Sequence, residues 1–124
     1  MPETKKERLL SILKGLSSIG DIEGSAIVTR DGLLIASDLP REIDAETFAA
    51  MSATMLGAAE TAVSELKKGT VERVIAEGKQ TKLIAKGAGS SAVLVSMVRA
   101  DANLGLVLVE MGKASEKIER EMGE

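Results

Sequence analysis

Ser90 and Ser91 follow a short glycine-rich stretch, which is the kind of setting that can expose a nucleophilic hydroxyl. A serine attacks a substrate only when a neighbouring base accepts its proton, and histidine is the usual base. The chain contains no histidine and no cysteine. Histidine is also the commonest general acid or base at neutral pH. The two serines are therefore interpreted as turn residues.

Two pairs of glutamates are close enough in sequence to act together, namely Glu72 with Glu77 and Glu116 with Glu119. Paired carboxylates act as acid and base when an enclosed site gives them different environments. Each of these pairs instead lies in a strongly charged stretch, which is typical of solvated surface. We expect no catalytic residue and a protein that is not an enzyme.

Phosphate and metal motifs are incomplete in this sequence. The segment EGKQ resembles the end of a P-loop, but the first glycine of that motif falls on Arg73 and its final Ser or Thr on Gln80. The segment GAGSS opens no helix, so it does not predict a phosphate cradle. No residues have metal-ligand spacing. No cofactor and no metal are predicted.

Composition limits the partners. The chain has 16 Lys and Arg and 19 Asp and Glu, so its net charge is −3 and its electrostatic field repels nucleic acid. Phe48 is the one aromatic residue, so base stacking has no platform. The charged amino-terminal stretch lacks the apolar core of a signal peptide, and no run is long enough for a membrane span. With no cysteine, these features indicate a cytoplasmic protein without membrane insertion.

Periodic apolar residues predict a first helix from Thr4 to Ile19, with glycines at 20 and 24 breaking it. The strands SAIVT and LLIAS follow, and Asp31-Gly32 between them is a structural turn of a hairpin, since both residue types tolerate positive φ. A second helix is capped by Asp44 and runs to about Lys68, where Gly69 stops it.

Three more strands are predicted after this helix: VERVIAE, TKLIAK and SAVLVSMVR, joined by turns at Gly78-Lys79 and Gly87-Ala88-Gly89. The last of them is apolar on both faces and should be central, whereas the charges of VERVIAE are typical of an edge. The segment after Asn103 could be a sixth strand, but its apolar residues fall on one helical face, so we predict a helix.

The predicted order is α-β-β-α-β-β-β-α within a single domain, residues 1–124. A sheet that is apolar on both faces needs helices on both faces. We therefore predict an α+β fold, a three-layer α/β/α sandwich around a five-stranded antiparallel sheet. The first and last helices should share one face of the sheet, and the second helix should cover the other.

The second helix carries no charge over the thirteen residues from Thr47 to Ala59. A helical projection places one set of apolar residues toward the sheet: Phe48, Met51, Met55, Leu56, Ala59, Ala62, Val63 and Leu66. The opposite side collects a small-residue seam: Ala50, Thr54, Gly57, Thr61 and Ser64. Because Gly57 costs about 1 kcal/mol relative to Ala in a helix, close approach of another helix should offset it.

Three explanations for the small-residue seam stay open at this point. The helix could be an alanine-rich surface helix of no special role, or another helix of the same chain could cover the seam. The favoured explanation is a homodimer in which the helix meets its counterpart across a two-fold axis.

The stretch GSAIVTRDGLLIASDLP, the long Ala- and Met-rich helix and the closing DANLGLVLVEMGKASEKI resemble the Roadblock family of dynein light chains and prokaryotic GTPase regulators. The resemblance spans Arg8 to Met122, with its best matches at Gly24, Asp31-Gly32 and the run from Asn103 to Leu106. It implies a profilin-like sandwich that forms homodimers or heterodimers. In such dimers the long helices lie side by side.

The resemblance also implies that the strand after the long helix pairs with its counterpart, which here involves Val71, Arg73, Ile75 and Glu77. The implied partner is a Ras-like small GTPase, bound by a dimeric, non-enzymatic regulator. The alternative is a passive scaffold or adaptor module in a larger motor- or membrane-associated assembly. Arg41 and Arg73 are the candidates for an arginine inserted into a partner, and neither is distinctive.

Overall fold

The protein is described by a computed structural model that covers residues 2–123. Met1 and Glu124, the ends of the predicted domain, lie outside the described residues. The elements are α1 (Lys5–Ser17), β1 (Ile22–Thr29), β2 (Leu34–Asp38), α2 (Ala45–Glu65), β3 (Val74–Glu77), β4 (Thr81–Ala88), β5 (Ala92–Arg99) and α3 (Leu104–Glu121). The predicted element order is confirmed.

The five strands form one antiparallel sheet in the order β2-β1-β5-β4-β3. Strand β5 lies in the centre, and from Ala92 to Ser96 every side chain is buried. Strands β2 and β3 are the two edges. Both the central position of β5 and the edge position of β3 agree with the sequence-based expectation.

Two apolar layers cover the two faces of the sheet. One face packs against α1 and α3, whose buried residues include Leu9, Leu13, Met111 and Ile118. The other face packs against α2, through residues that include Leu56, Val28 and Val95. The α/β/α sandwich and the predicted distribution of its helices are confirmed. No helix within residues 2–123 has the length and apolar character needed to cross a membrane.

Gly24 does not end a helix, as the sequence suggested, but lies inside β1 where its pairing with β5 is irregular. A Cβ at this position would lie 3.0 Å from the carbonyl oxygen of Asp38 and 3.1 Å from the ring of Pro40. The chain after β2 therefore passes directly against Gly24. Only glycine leaves room for this close approach.

The turn at Asp31-Gly32 joins β1 to β2 as predicted, but Gly32 alone of the two has positive φ, +93°. Its N–H donates to the Thr29 carbonyl (2.9 Å), and the Thr29 N–H donates to the Leu33 carbonyl (2.8 Å). This is the pattern of a longer hairpin loop that ends in a glycine bulge, rather than a two-residue turn.

Other predicted boundaries are wrong by two or three residues. Helix α1 ends at Ser17 rather than Ile19, and strand β1 begins at Ile22 rather than Ser25. Helix α2 ends at Glu65, before Lys68, because Lys67 adopts positive φ, +54°. Strand β3 begins at Val74 rather than Val71. Strand β4 continues through Gly87 and Ala88, so the turn into β5 begins at Gly89.

The segment after Asn103 is a helix, as predicted, and the Asn103 side chain caps it. Its Oδ1 accepts a hydrogen bond from the Leu106 N–H (3.2 Å). We expect Asn103→Ala to lower the free energy of unfolding by about 1 kcal/mol, because an N-terminal N–H loses its acceptor. Asn103→Ser keeps an acceptor and should behave like the wild type. Urea unfolding of the three proteins checks this, and equal midpoints for the Ala and Ser variants would contradict it.

Candidate functional site

Helix α2 meets the sheet through small residues. Ala49, Ser52, Ala53 and Leu56 are its buried residues. Met51 is 60% exposed and Leu66 65% exposed, so the prediction that both face the sheet is wrong, as it is for the exposed Ala62. Small side chains let the helix lie close to the sheet. Compared with the predicted orientation, the helix is therefore rotated about its own axis. Phe48, Met55, Ala59 and Val63 are half-buried at the border.

The rotation leaves a second uncharged surface on the solvent side of α2. We call it the methionine arc: Met51, Met55, Ala58 and Ala62. With about 100° per residue, these four positions fall within roughly 60° of one another. Met55 is half-buried and the other three are exposed. An exposed methionine on an uncharged helix face is typical of an adaptable protein-binding surface.

The small-residue seam borders the methionine arc and is only partly exposed. Thr54, Thr61 and Ser64 are exposed, whereas Ala50 and Gly57 are half-buried. Ala50 packs on the β1–β2 turn, since a Cβ on Gly32 would lie 3.4 Å from the Ala50 Cα. A Cβ on Gly57 would meet no atom within 4 Å. The chain's own turn therefore covers one end of the seam, and the space beside Gly57 is open.

The hydroxyl groups of the seam are satisfied by the helix itself. Thr54 Oγ1 donates to the Ala50 carbonyl (2.9 Å), and Ser64 Oγ donates to the Thr61 carbonyl (2.8 Å). A partner that covers these side chains would not break their hydrogen bonds. The desolvation cost of burying the seam is therefore lower than for free hydroxyls.

A cap stabilises the start of α2, and an ion pair links its second half to the sheet. Asp44 caps the helix by accepting a hydrogen bond from the Thr47 N–H (3.1 Å), and this bond lowers the pKa of the Asp44 carboxyl. Near the other end, both Glu60 carboxylate oxygens accept from Arg30 Nη1 at 2.8 Å, while Arg30 Nη2 donates to the Gly89 carbonyl. Arg30 thus ties the β1–β2 and β4–β5 turns to α2. The helix presents its outer face on a rigid support.

Strand β3 is the first strand after α2 in the chain, and it forms one edge of the sheet. It pairs with β4 on one side, and within residues 2–123 no strand pairs with its other side. Of the predicted interface residues, Ile75 and Glu77 lie in β3, whereas Val71 and Arg73 precede it. Val71 packs against the core under α2, and Arg73 pairs with Glu72 (3.3 Å).

The candidates for chemistry are spread over three parts of the fold, and Glu77 is the one that lies in β3. Ser90 and Ser91 are in the turn between β4 and β5, Glu72 precedes β3, and Glu116 and Glu119 are on α3. Within the described range 2–123, no three or more Asp, Glu, Cys or His side chains are grouped to hold a metal ion.

The structure is an α/β/α sandwich with an uncharged helix face beside an open sheet edge. The chain belongs to the Roadblock/LC7 domain family, whose sequence model matches residues 9–97. It is 41% identical over 107 residues to an uncharacterised protein of Methanocaldococcus jannaschii, a match that spans 86% of this chain and 93% of the relative.

Solved structures share the fold. MglB of Myxococcus xanthus superposes with a TM-score of 0.89 at 22% identity, over 99% of this chain and 93% of that one. An MglB structure described as a tetrameric arrangement gives 0.87 at 21% identity, over 98% and 92%. Profilin II of Acanthamoeba castellanii gives 0.66 at 15% identity, over 91% and 98%. The fold is therefore profilin-like, as expected from the sequence.

The methionine arc is the part of the surface that sequence reasoning missed. Apolar size alone assigned Met51 to the core. The signal that could have found the correct face is the run of small residues Ala49, Ser52 and Ala53, which permits closer packing than a row of large side chains.

Proposed function

We propose that the protein is a homodimeric, non-enzymatic regulator that binds a Ras-like small GTPase through α2. The observation that carries the proposal is the uncharged outer side of α2, on which Met51 is 60% exposed. A monomer in water gains nothing from such a surface, whereas a protein partner would bury it favourably. Family membership supplies the class of partner.

The dimer contact is proposed to use the small-residue seam and the β3 edge. The seam offers close approach at Gly57, where the structure leaves open space, and its hydroxyls are already bonded within the helix. Strand β3 offers unpaired backbone groups on its outer side. Antiparallel pairing of two copies across a two-fold axis would satisfy these groups and place Arg73 near Glu77 of the second copy.

The GTPase contact is proposed to use the methionine arc. The arc is centred about 100° around the helix from the seam, so it stays accessible after the seam is covered. Methionine side chains adapt to the shape of a partner, which suits a surface that must accept two nucleotide states of a GTPase.

The arrangement of arginines bears on how such a regulator would act. Arg8, Arg30, Arg73 and Arg99 each form an ion pair within the chain. Inserting any of these into a GTPase would break an existing contact. Within residues 2–123, Arg41 is exposed and forms no ion pair, so of the two candidates Arg41 and Arg73 it is the one left to test. We propose that the protein acts by orienting catalytic groups of the GTPase itself rather than by donating an arginine. The same observation favours the second candidate function, a scaffold that binds without changing the rate.

Single-turnover GTP hydrolysis separates the two functions. Each Ras-like GTPase of the same genome is purified, loaded with GTP and mixed with a saturating amount of the protein. A regulator changes the hydrolysis rate by about tenfold or more, and an Arg41→Ala variant retains the effect. Binding without any change in rate would indicate the scaffold. Absence of binding to every GTPase tested would contradict the regulator and would leave a scaffold for other proteins of a larger assembly.

A further inference from the structure

Strand β2 is a second open edge, at the opposite end of the sheet from β3. It pairs with β1 on one side, and no other strand within residues 2–123 pairs with its outer side. Proteins usually protect such an edge with lysine, proline or a very short strand. Strand β2 is five residues long and ends in Asp38, but from Leu34 to Ser37 it carries no charge and no proline, and Leu33 just before it is 69% exposed. The β2 edge is thus available for strand pairing.

Depressions flank the β2 edge on both faces of the sheet. On the α1 side, Lys6 and Leu10 together with residues 34–37 line a depression of about 260 Å³. On the α2 side, Gly32, Leu33, Leu34 and Glu46 line one of about 460 Å³. Successive side chains of a strand point to opposite faces. A strand added to β2 would therefore place alternate side chains into the two depressions.

The two depressions have opposite charges at their rims. Lys6 is the charged residue that lines the depression on the α1 side, and Glu46 is the charged residue on the α2 side. The rest of each lining is mainly apolar. A complementary strand is apolar, with a carboxylate directed to the α1 side and a cation directed to the α2 side.

A second copy of the chain is a poor occupant of this edge. The exclusion of a second copy rests on the proposed dimer, in which the β3 edges meet across a two-fold axis. Because β2 and β3 are opposite edges of one sheet, a further two-fold contact between β2 edges would extend the sheet from dimer to dimer. Two β2 edges would also bring identical charge patterns together. An extended segment of another protein ends the sheet without this consequence.

We propose that the β2 edge binds an extended peptide segment of a partner protein by β-strand addition. The segment is apolar and carries one acidic and one basic residue on opposite faces, the acidic one beside Lys6 and the basic one beside Glu46. Main-chain hydrogen bonds to β2 hold the segment, and the two charged rims select its sequence and orientation. The α2-side depression adjoins Ala50 at one end of the small-residue seam, whereas Gly57 lies about two helical turns further along α2.

The probe is a fluorescent peptide of about eight residues, built from valine and threonine, with Glu and Lys at adjacent positions so that they point to opposite faces. Its control has the same composition, but Glu and Lys are two positions apart and share a face. We expect saturable binding of the first peptide, about fivefold tighter than the control. Amide hydrogen exchange should slow at Leu34 to Ser37 and not in β3.

Charge reversal tests the assignment on the intact protein. Lys6→Glu should weaken binding of the first peptide about fivefold, and the double variant Lys6→Glu, Glu46→Lys should restore it, because the peptide can exchange its faces. Absence of saturable binding up to about 1 mM, or binding that Lys6→Glu leaves unchanged, would overturn the proposal. A particle larger than a dimer that Leu33→Lys dissociates would assign the edge to a second copy instead, which also overturns it.

Peptide binding at the β2 edge can be tested independently of whether the proposed dimer forms. Gly57→Arg changes the small-residue seam and leaves the β2 edge intact, so this variant should bind the peptide with the affinity of the wild type whatever its mass. Loss of peptide binding in this variant would contradict the separation of the two sites.

Discussion

Gly57→Arg is expected to convert the protein from a dimer to a monomer, so that the mass measured by light scattering falls from twice 13.0 kDa to 13.0 kDa. A Cβ at position 57 meets no atom of its own chain within 4 Å, so the arginine fits the folded subunit. Replacing glycine within a helix also removes a cost of about 1 kcal/mol. Any loss of the dimer therefore arises from the contact between subunits and not from unfolding.

Ala58→Arg is the matched control for this prediction. It introduces the same side chain at the next position of α2, where Ala58 is exposed and belongs to the methionine arc. The control should remain a dimer. Circular dichroism should show both variants folded. An unchanged dimer mass for Gly57→Arg, together with an unchanged mass for Thr54→Arg, would contradict the assignment of the small-residue seam to the dimer contact.

Met51→Glu is expected to weaken binding of the small GTPase by at least about 30-fold, because a central apolar contact is replaced by a charge that must be desolvated. Met51 is 60% exposed, so the substitution leaves the core intact, and the dimer mass should not change. Titration calorimetry with the GTPase identified in the hydrolysis experiment measures the effect.

The control for Met51→Glu is Val109→Glu on α3. Val109 is 56% exposed and lies on α3, in the opposite layer of the sandwich. The substitution is therefore an apolar-to-acidic change at a site that is exposed to a similar degree and lies away from α2. Its affinity for the GTPase should equal that of the wild type. Equal weakening by both substitutions would indicate a general charge effect, and wild-type affinity in Met51→Glu would remove the methionine arc from the contact.

Much of the fold followed from periodicity and turn chemistry. The segment LVLVEM could have been a strand, but apolar residues from Val107 to Ile118 recur at helical spacing, and the structure contains α3 there. The central position of β5 followed from its apolar residues on both faces. These features are local, so one sequence is enough to predict them.

The orientation of α2 could not be predicted in the same way. A helical projection ranks faces by apolar size, and it therefore placed Met51 inside. The observed rotation depends on the distance between helix and sheet, which small residues such as Ala53 and Ser52 set. The early end of α2 likewise depends on Lys67 in a conformation that lysine rarely adopts. Both features arise from tertiary packing.

The central claim is that protein, not water, covers the outer side of α2, and the mass of the wild-type protein tests it most directly. Light scattering over a dilution series at micromolar concentrations should give twice the chain mass of 13.0 kDa. A mass of 13.0 kDa throughout the series, with deuterium exchange showing β3 amides open to solvent, would contradict the account.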